Sequence, residues 1–166
     1  MRDDVDPTPP PFSQRDLRDA LGCFATGVTL VTTRAEQGPL GMTVNSFASV
    51  SLDPPLVLWS PARRSARFPA FEAASHFAIH ILAEGQKDLA ERFARDGFDF
   101  SGLEVEAGVG DVPLLSGCAA RLQCAHAAGH DGGDHLIVVG EVLTCEHTAA
   151  RPLLYHKGGF AGLSEA

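Results

Sequence analysis

The stretch from Gly41 to Val57 constrains the fold of this 166-residue chain more than any other part of the sequence. Small side chains with hydroxyl or amide groups alternate imperfectly with apolar residues along it, and a rigid Asp53-Pro54-Pro55 corner interrupts the pattern. Such a strand can bury one face while the other offers hydrogen-bonding groups to a flat ligand. Sites for planar heteroaromatic cofactors are mostly apolar with a few placed polar groups. The stretch therefore predicts a strand that borders a cofactor site.

Short β-branched and alternating segments in the rest of the chain predict an antiparallel β protein. We expect strands at 28–33, 42–51, 56–59, 76–82, 119–127 and 135–147. We expect one helix capped by Ser13 and ended by Gly27, two more at 65–74 and 86–95, and loops at 35–41, 96–115 and 129–134. Several strands with few helices and mostly short connections favour a closed or partly closed antiparallel barrel.

Length and composition indicate one folded domain, since 45% of the residues are hydrophobic and 20% are charged. Residues 1–11 are acidic and proline-rich and lack the apolar core of a signal peptide, so we expect a disordered tail there and a single domain at 12–166. The formal net charge of -8 argues against nucleic acid and anionic membranes as partners. No apolar run approaches the ~20 residues of a membrane span.

The cysteines are widely spaced and form no Cys-x-x-Cys pair, which favours reduced thiols and a cytoplasmic location. Cys124, His126, His130 and His135 are residue types that suit zinc, but their spacing is irregular. An ordinary strand and hairpin explain these residues better, so we predict no metal.

Several common catalytic signatures are absent from the sequence. There is no G-x-G-x-x-G after a strand and no Walker-type glycine loop, so a nicotinamide coenzyme would not be held by a dinucleotide-binding βαβ unit. Gly-x-Ser-x-Gly is absent, and no Ser–His–Asp or Cys–His arrangement can be argued. The chemistry is therefore not that of a side-chain nucleophile.

Two arginines and two serines lie between a predicted strand end and a predicted helix start, in the segment Trp59-Ser60-Pro61-Ala62-Arg63-Arg64-Ser65. A helix N-terminus with hydroxyl and guanidinium groups is a natural seat for a phosphate. A solvated turn whose arginines point into water is an equally good interpretation of the residues alone. Arg63, Arg64 and Arg67 offer three registers for a phosphate contact.

Four motifs occur in order along the chain: residues 24–29 (FATGVT), 41–57, 133–142 (GDHLIVVGEV) and 152–160 (PLLYHKGGF). Together they resemble the flavin reductase family, the small NAD(P)H:flavin oxidoreductases of two-component monooxygenases. The similarity runs from about Phe12 to Leu163. The resemblance implies an FMN-binding split barrel, antiparallel and Greek-key-like with a few flanking helices, that pairs into a homodimer. It also implies FMN or FAD as the flavin and NADH or NADPH as the hydride donor.

The resemblance implies a set of cofactor contacts as well. Those expected at the isoalloxazine ring are Thr43, Val44, Asn45, Ser46 and Ser49, and those expected at the phosphate and ribityl chain are Ser60, Arg64 and Ser65. His135 is the candidate for a catalytic role, although hydride transfer depends on alignment rather than on a base. Further expected contacts are Trp59, Phe93, Tyr155 and Phe160; core packing is the open alternative for Trp59 and Phe93. The family often has a second tyrosine where Phe160 stands.

The implied function is reduction of FMN or FAD by NAD(P)H, with hydride passing from nicotinamide C4 to flavin N5. The reduced flavin would then reach a transient oxygenase partner. Two alternatives stay open: a protein of the same fold that retains FMN for another reduction, storage or sensing, and a non-catalytic interaction subunit. The sequence does not separate NADH from NADPH or FMN from FAD.

Overall fold

The N-terminal helix begins where the sequence predicts. The computed structural model describes residues 10–164, so most of the predicted tail at 1–11 lies outside the described residues. Helix α1 spans Gln14–Gly22, and the Ser13 hydroxyl accepts the Asp16 N–H at 3.1 Å while the Asp16 carboxylate accepts the Ser13 N–H at 2.9 Å. This reciprocal capping box satisfies two N–H groups of the first turn. The helix ends at Gly22 rather than at Gly27, and none of its residues is buried.

Strands make up most of the remaining structure. In chain order they are β1 Thr26–Gly27, β2 Thr29–Ala35, β3 Gly38–Val44, β4 Ala48–Leu52, β5 Pro55–Trp59, β6 His76–Ile81, β7 Val105–Ala107, β8 Pro113–Leu115, β9 Ala120–Gly132, β10 His135–His147, β11 Leu154–His156 and β12 Gly159–Ala161. Helix α2 covers Phe68–Ala73 and helix α3 covers Lys87–Arg95. Single 3-10 turns lie at Glu84–Gln86 and Val109–Asp111.

Seven of the strands form one antiparallel sheet in the order β3-β2-β6-β9-β10-β5-β4. Strands that are distant in sequence are neighbours, because β2 pairs with β6 and β5 pairs with β10, a feature shared with Greek-key arrangements. A flat sheet of this size would measure about 29 Å across. Residues 45–47 join the two edge strands, and a link of that length spans at most about 14 Å. The sheet must therefore curl until β3 and β4 approach each other.

The predicted mainly β, antiparallel fold is confirmed, but no ladder closes the barrel. Within residues 10–164 the edge strands β3 and β4 do not pair with each other. Two small sheets, β1-β11-β12 and β7-β8, accompany the main one. An edge strand leaves a row of backbone N–H and C=O groups without sheet partners. Strand β3, which was expected to border the cofactor, is such an edge.

Two clusters of buried apolar side chains hold the curled sheet and its helices together. In the first, Trp59 packs edge-to-face on Phe71 of α2 with ring centroids 5.1 Å apart, and Phe77 of β6 adjoins them. In the second, Phe93 and Ala90 of α3 pack with Leu30 of β2. Each large side chain that is fully buried contributes about 1.5–3 kcal/mol. The two clusters therefore anchor α2 and α3 firmly to the sheet.

A buried histidine connects the main sheet to β8. The Leu115 N–H donates to Nε2 of His80 at 3.0 Å, so the proton of the neutral ring lies on Nδ1, which donates to the Leu30 C=O at 3.0 Å. His80 has no exposed surface. Burial lowers the pKa of His80 to about 4, because a charged imidazole would lose its hydration there. The ring is therefore a neutral structural bridge.

The predicted single strand at 42–51 and the predicted loop at 35–41 are both wrong. Strand β3 begins at Gly38 and ends at Val44, and β4 begins only at Ala48. Gly38 and Pro39 suggested a loop, but a proline is tolerated in an edge strand, where not every N–H has a ladder partner. The chain breaks after Val44 because it must cross there from one edge of the sheet to the other.

Two other predicted loops also contain strand. Strand β9 continues to Gly132, so the predicted loop at 129–134 shrinks to a turn at Gly133-Asp134, in which Gly133 has a φ of +74°. A two-residue hairpin turn of this kind needs positive φ, which glycine adopts without strain. The predicted loop at 96–115 contains the β7-β8 hairpin, whose three-residue strands are too short to give a clear alternation.

Candidate active site

A groove opens where edge strand β3 ends beside α3 and the β11-β12 hairpin. Its volume is about 620 Å³. The structure brings five of the predicted cofactor contacts to this groove: Thr43, Val44, Asn45, Tyr155 and Phe160. They come from two segments more than a hundred residues apart in sequence, so it is the pairing of β11 with β1 and the curl of the sheet that place them together.

The β3 wall of the groove combines anchored and available polar groups. Thr43 donates its hydroxyl to the Ala90 C=O of α3 at 2.7 Å and thereby joins strand to helix. The Val44 C=O accepts the Thr29 hydroxyl at 3.0 Å. Asn45 is exposed directly after the end of β3. The Asn45 amide and the part of the β3 backbone edge beyond Gly41, which has no neighbouring strand, are therefore the groups on this wall that can hydrogen-bond a ligand.

An aromatic pair forms another wall of the groove. Tyr155 and Phe160 lie directly opposite each other in the β11-β12 hairpin, and their rings meet edge-to-face with centroids 5.5 Å apart. The Lys87 ammonium lies 5.9 Å from the centre of the Phe160 ring. Both aromatic side chains are half-buried, so they keep surface on which a flat ring can pack.

Helix α3 approaches β3 so closely that only glycine fits at position 41. A Cβ atom on Gly41 would lie 2.6 Å from the Phe93 ring, and Phe93 itself has no exposed surface. Phe93 also packs edge-to-face on Phe100 with centroids 4.7 Å apart. The Phe93 ring thus supports the groove from behind, as the core-packing alternative expected, and the structure does not expose it to a ligand.

Other predicted contacts gather at the end of β5, next to the β9-β10 turn. Ser46 is hydrogen-bonded through its hydroxyl to the backbone of Ser60, whose N–H it accepts at 2.9 Å. The Arg63 N–H donates to the Asp134 C=O at 2.9 Å, and Ala62 is bridged to His135. Segment 60–65 and the Gly-Asp-His motif are therefore neighbours.

His135 is oriented by the residue that precedes it. Nδ1 of His135 lies 2.7 Å from Oδ1 of Asp134. The hydrogen bond from His135, together with its charge and that of Arg64, lowers the pKa of the Asp134 carboxyl. This contact leaves Nε2 as the ring nitrogen that is available to a ligand.

The structure distinguishes the three arginines that compete for the phosphate role. Arg63 pairs with Asp131 at 2.8 Å and lies 5.5 Å above the Phe68 ring. Arg67 donates to four backbone carbonyls. Arg64 is exposed, and within residues 10–164 its guanidinium has no hydrogen bond or ion pair. Arg64 is therefore the arginine that can meet a phosphate without giving up another partner.

Eight of the thirteen predicted contacts do not line the groove, and three of these eight have not yet been placed. Trp59 is fully buried against Phe71 and Phe77, in line with the core alternative, and its indole N–H finds no partner within the described residues. Ser49 is exposed on edge strand β4. The Ser65 hydroxyl accepts the Arg67 N–H at 3.3 Å ahead of α2, which begins at Phe68 rather than at Ser65.

Helix α3 supplies groove residues that sequence reasoning did not single out. Glu91, Ala94 and Arg95 line the groove from the helix surface beside buried Ala90 and Phe93. Their helical spacing is visible in the sequence, but a polar helix face is usually solvated surface. Val28 and Gly158 also line the groove, and no local pattern indicates either of them.

The residues of the metal alternative lie in β9 and at the start of β10. Burial raises the pKa of the Cys124 thiol to about 12, whereas zinc binds the thiolate. Among residues 10–164, no group of three or more His, Cys, Asp or Glu side chains is placed to hold a metal ion.

In the same part of the chain, no helix has the length and apolar character needed to cross a membrane.

Comparison with known proteins assigns the family. The flavin reductase like domain matches residues 21–164. The chain is 54% identical over 152 residues to the FMN reductase (NADH) SmoA of Agrobacterium fabrum, covering 92% of this chain and 87% of that protein. It is 38% identical over 153 residues to HsaB, the reductase subunit of a flavin-dependent monooxygenase of Mycobacterium tuberculosis, covering 90% and 82% respectively.

Solved structures agree with this assignment. The NADH:FAD oxidoreductase SgcE6 of Streptomyces globisporus, in complex with NAD and FAD fragments, superposes with a TM-score of 0.86 at 37% identity and covers 92% of this chain and 93% of that one. A homologue of nitrilotriacetate monooxygenase component B from Mycobacterium thermoresistibile gives a TM-score of 0.86 at 39% identity, with 91% and 87% covered. The chain belongs to the flavin reductase family.

Proposed function

We propose that this chain is the reductase component of a two-component flavin-dependent monooxygenase, which reduces FMN or FAD with NADH and supplies the reduced flavin to an oxygenase. The observation that carries the proposal is the 620 Å³ groove, bounded by an edge strand and an aromatic pair. Relatives with this function match nearly the whole described domain. The name of the relative SmoA favours NADH over NADPH as the donor.

The groove fits a flavin in size and in chemistry. Ligand pockets typically have volumes of about 300–1,000 Å³, and they combine apolar walls with a few polar groups. Here Val44, Tyr155 and Phe160 supply apolar surface, while Asn45 and the backbone edge of β3 supply hydrogen-bonding groups. Nothing in the fit requires a reactive side chain, because a bound flavin itself supplies the acceptor, N5, for hydride from nicotinamide C4.

The residues of the chain bind and align rather than react. The β3 edge and Asn45 would hydrogen-bond the polar rim of the ring, and the Tyr155–Phe160 pair would pack on a flat face. Holding two rings in a reactive geometry can account for a large part of a rate enhancement, up to about 7–11 kcal/mol. His135, with Nδ1 occupied by Asp134, would direct Nε2 to the nicotinamide or to the flavin edge.

We propose that segment 60–65 binds the phosphate group of the flavin. Arg64 would supply the charge, and the hydroxyls of Ser60 and Ser65 would supply hydrogen bonds. Since α2 starts only at Phe68, the seat depends on the guanidinium more than on a helix N-terminus. Ser46 connects this segment to the groove wall through Ser60.

A steady-state assay that crosses NADH and NADPH with FMN, FAD and riboflavin tests the activity. We expect nicotinamide oxidation that depends on added flavin, with flavin affinity in the micromolar range, about 8 kcal/mol, which permits release during turnover. Tightly held yellow flavin with little turnover would instead support the flavin-retaining alternative. Absence of both colour and flavin affinity would support a non-catalytic subunit.

We also propose that the protein is a homodimer in the cytoplasm. Helix α1 leaves Leu21 64% exposed, and the adjacent Phe24 is 78% exposed, so these side chains form an apolar surface that a second copy would cover. The free state of the four cysteines favours a reducing compartment. Light scattering should give a dimer for the native protein and a monomer for Leu21→Glu, while Leu163→Glu, at a 50% exposed leucine outside α1, should stay dimeric.

A further inference from the structure

The side chain of Arg67 closes the C-terminal end of α3. Its Nη1 donates to the Phe93 C=O at 2.5 Å and to the Gly41 C=O at 3.2 Å. Its Nη2 donates to the Ala94 C=O at 3.0 Å and to the Arg95 C=O at 3.4 Å. The last carbonyls of a helix have no partner within the helix and carry its negative dipole end, so a guanidinium satisfies them in hydrogen bonding and in charge.

These carbonyls belong to the elements that build the groove. Ala94 and Arg95 line it from α3, and Gly41 lies on β3 ahead of the lining residue Thr43. A single planar group thus bonds both the strand and the helix that bound the cavity. Arg67 itself lies at the start of α2 and does not line the groove.

One side of the Arg67 side chain packs closely against the chain that leaves α3. A Cβ on Gly97 would lie 2.7 Å from Cδ of Arg67 and 2.6 Å from the Gly41 carbonyl oxygen. The Gly41 N–H donates to the Gly97 C=O at 2.8 Å. The chain that leaves α3 therefore packs against both β3 and the arginine, and four carbonyl acceptors fix the position of the half-buried guanidinium.

We propose that Arg67 is a positioning residue for the groove: by tying the end of α3 to β3 it sets the distance between two groove walls. Arg67 would therefore affect the binding of both the flavin ring and the nicotinamide ring without contacting either of them. The proposal rests on the proposed function only in naming flavin as the occupant. The clamp itself is a property of the free protein and can be measured without any ligand.

The test compares Arg67→Met and Arg67→Lys with Arg34→Met. Arg34 is an exposed arginine of β2 outside the groove, so its replacement removes the same charge and leaves the clamp intact. We expect Arg67→Met to raise the Kd for both FMN and riboflavin about tenfold and to raise the KM for NADH, with a smaller change in kcat. Arg67→Lys should give an intermediate effect, because an ammonium cannot donate to the carbonyls with the planar geometry of a guanidinium. This variant keeps the test informative if Arg67→Met does not fold.

Hydrogen exchange on the flavin-free proteins separates the clamp from the activity. We expect faster exchange at residues 94–98 and 41–43 in the Arg67 variants than in Arg34→Met. Unchanged exchange there would overturn the clamp whatever the activity. Faster exchange with unchanged Kd and KM would show that the contact is purely structural. Weaker binding of FMN with unchanged binding of riboflavin would show that Arg67 is a phosphate ligand. Either result overturns the proposal. An inactive native protein with an intact exchange difference would count against the proposed function alone.

Discussion

The Ser46 hydroxyl makes two hydrogen bonds to Ser60: it accepts the Ser60 N–H at 2.9 Å and donates to the Ser60 C=O at 3.2 Å. The contact continues the β4-β5 ladder, in which Ala48 pairs with Leu58, beyond the end of β4. Because Asn45 of the groove wall directly precedes Ser46, the Ser46 hydroxyl fixes the position of this wall relative to the proposed phosphate segment 60–65. The two groups of predicted cofactor contacts are joined through this pair.

Replacement of Ser46 by alanine should weaken flavin binding. The change leaves the Ser60 N–H and C=O without their partner, which costs about 1–3 kcal/mol. We expect this cost to be divided between a lower free energy of unfolding and weaker flavin binding. Urea unfolding and flavin fluorescence titration measure the two parts. Ser116→Ala, at an exposed serine outside the groove, serves as the control. Flavin affinity equal to that of the native protein would contradict the linking role of Ser46.

Replacement of Arg64 by glutamine should affect FMN and not riboflavin. Loss of a charge-assisted hydrogen bond to phosphate costs about 1.5–3 kcal/mol, so the Kd for FMN should rise by roughly tenfold or more. Riboflavin lacks the phosphate and should bind as before. Arg63→Gln is the matched control, since Arg63 is already paired with Asp131. If the FMN-selective loss appears in Arg63→Gln instead, the phosphate is held in the other register.

Replacement of Gly41 by alanine should push α3 away from β3. The added methyl would lie 2.6 Å from the buried Phe93 ring, and overpacking of this kind costs about 1–3 kcal/mol. We expect lower stability in urea and a higher Kd for flavin, both partly restored by a second change, Phe93→Leu. Gly85→Ala, where a Cβ meets nothing within 4 Å, should be close to neutral. A neutral Gly41→Ala would mean that the helix can shift without consequence.

Replacement of His135 by glutamine should slow turnover without abolishing it. The ring would orient a ligand rather than transfer a proton, so we expect kcat/KM for NADH to fall about tenfold, about 1.4 kcal/mol, with little change in flavin Kd. Asp134→Asn, which alters the contact at Nδ1, should show a smaller fall in the same parameter. A loss of about 10⁴ would instead identify His135 as an obligatory acid or base.

Acid should weaken the fold through His80. Its pKa is lowered from 6.5 to about 4 in the folded protein, so below pH 6.5 the unfolded chain takes up a proton that the folded one does not. The contribution of neutral His80 to the free energy of unfolding is present above pH 6.5 and is lost as the pH falls to about 4. The total loss is about 3 kcal/mol. Urea unfolding between pH 7 and pH 4 should give a shallower pH dependence for His80→Gln, although the variant is less stable at pH 7.

An exposed histidine provides the comparison for this measurement. His147→Gln replaces an exposed histidine of β10 by the same residue and serves as the matched control. If His80→Gln and the native protein lose stability in parallel, other groups account for the acid sensitivity.

Local sequence predicted those elements whose signals are local. The Ser13 cap, the strands at 56–59 and 76–82 and the helix at 86–95 appear within a few residues of their predicted positions. The break after Val44 and the extension of β9 to Gly132 could not be predicted, because they depend on the edge position of β3 and on the pairing of β9 with β10. Gly38 and Pro39 indicated a loop because the edge position of β3, which tolerates a proline, is set by tertiary structure.

The candidate site divides in the same way. The order of residues was enough to identify the residue types that could serve a flat, phosphorylated cofactor: the polar groups after Gly41, the arginines of segment 60–65, the Gly-Asp-His turn and the final aromatic pair. The three-dimensional contacts were needed to show that Arg64 is unpaired within the described residues while Arg63 and Arg67 are engaged. It also decided that Phe93 and Trp59 belong to the core. Those outcomes depend on which atoms meet across the curled sheet, and contacts between distant segments leave no mark in the local order of residues.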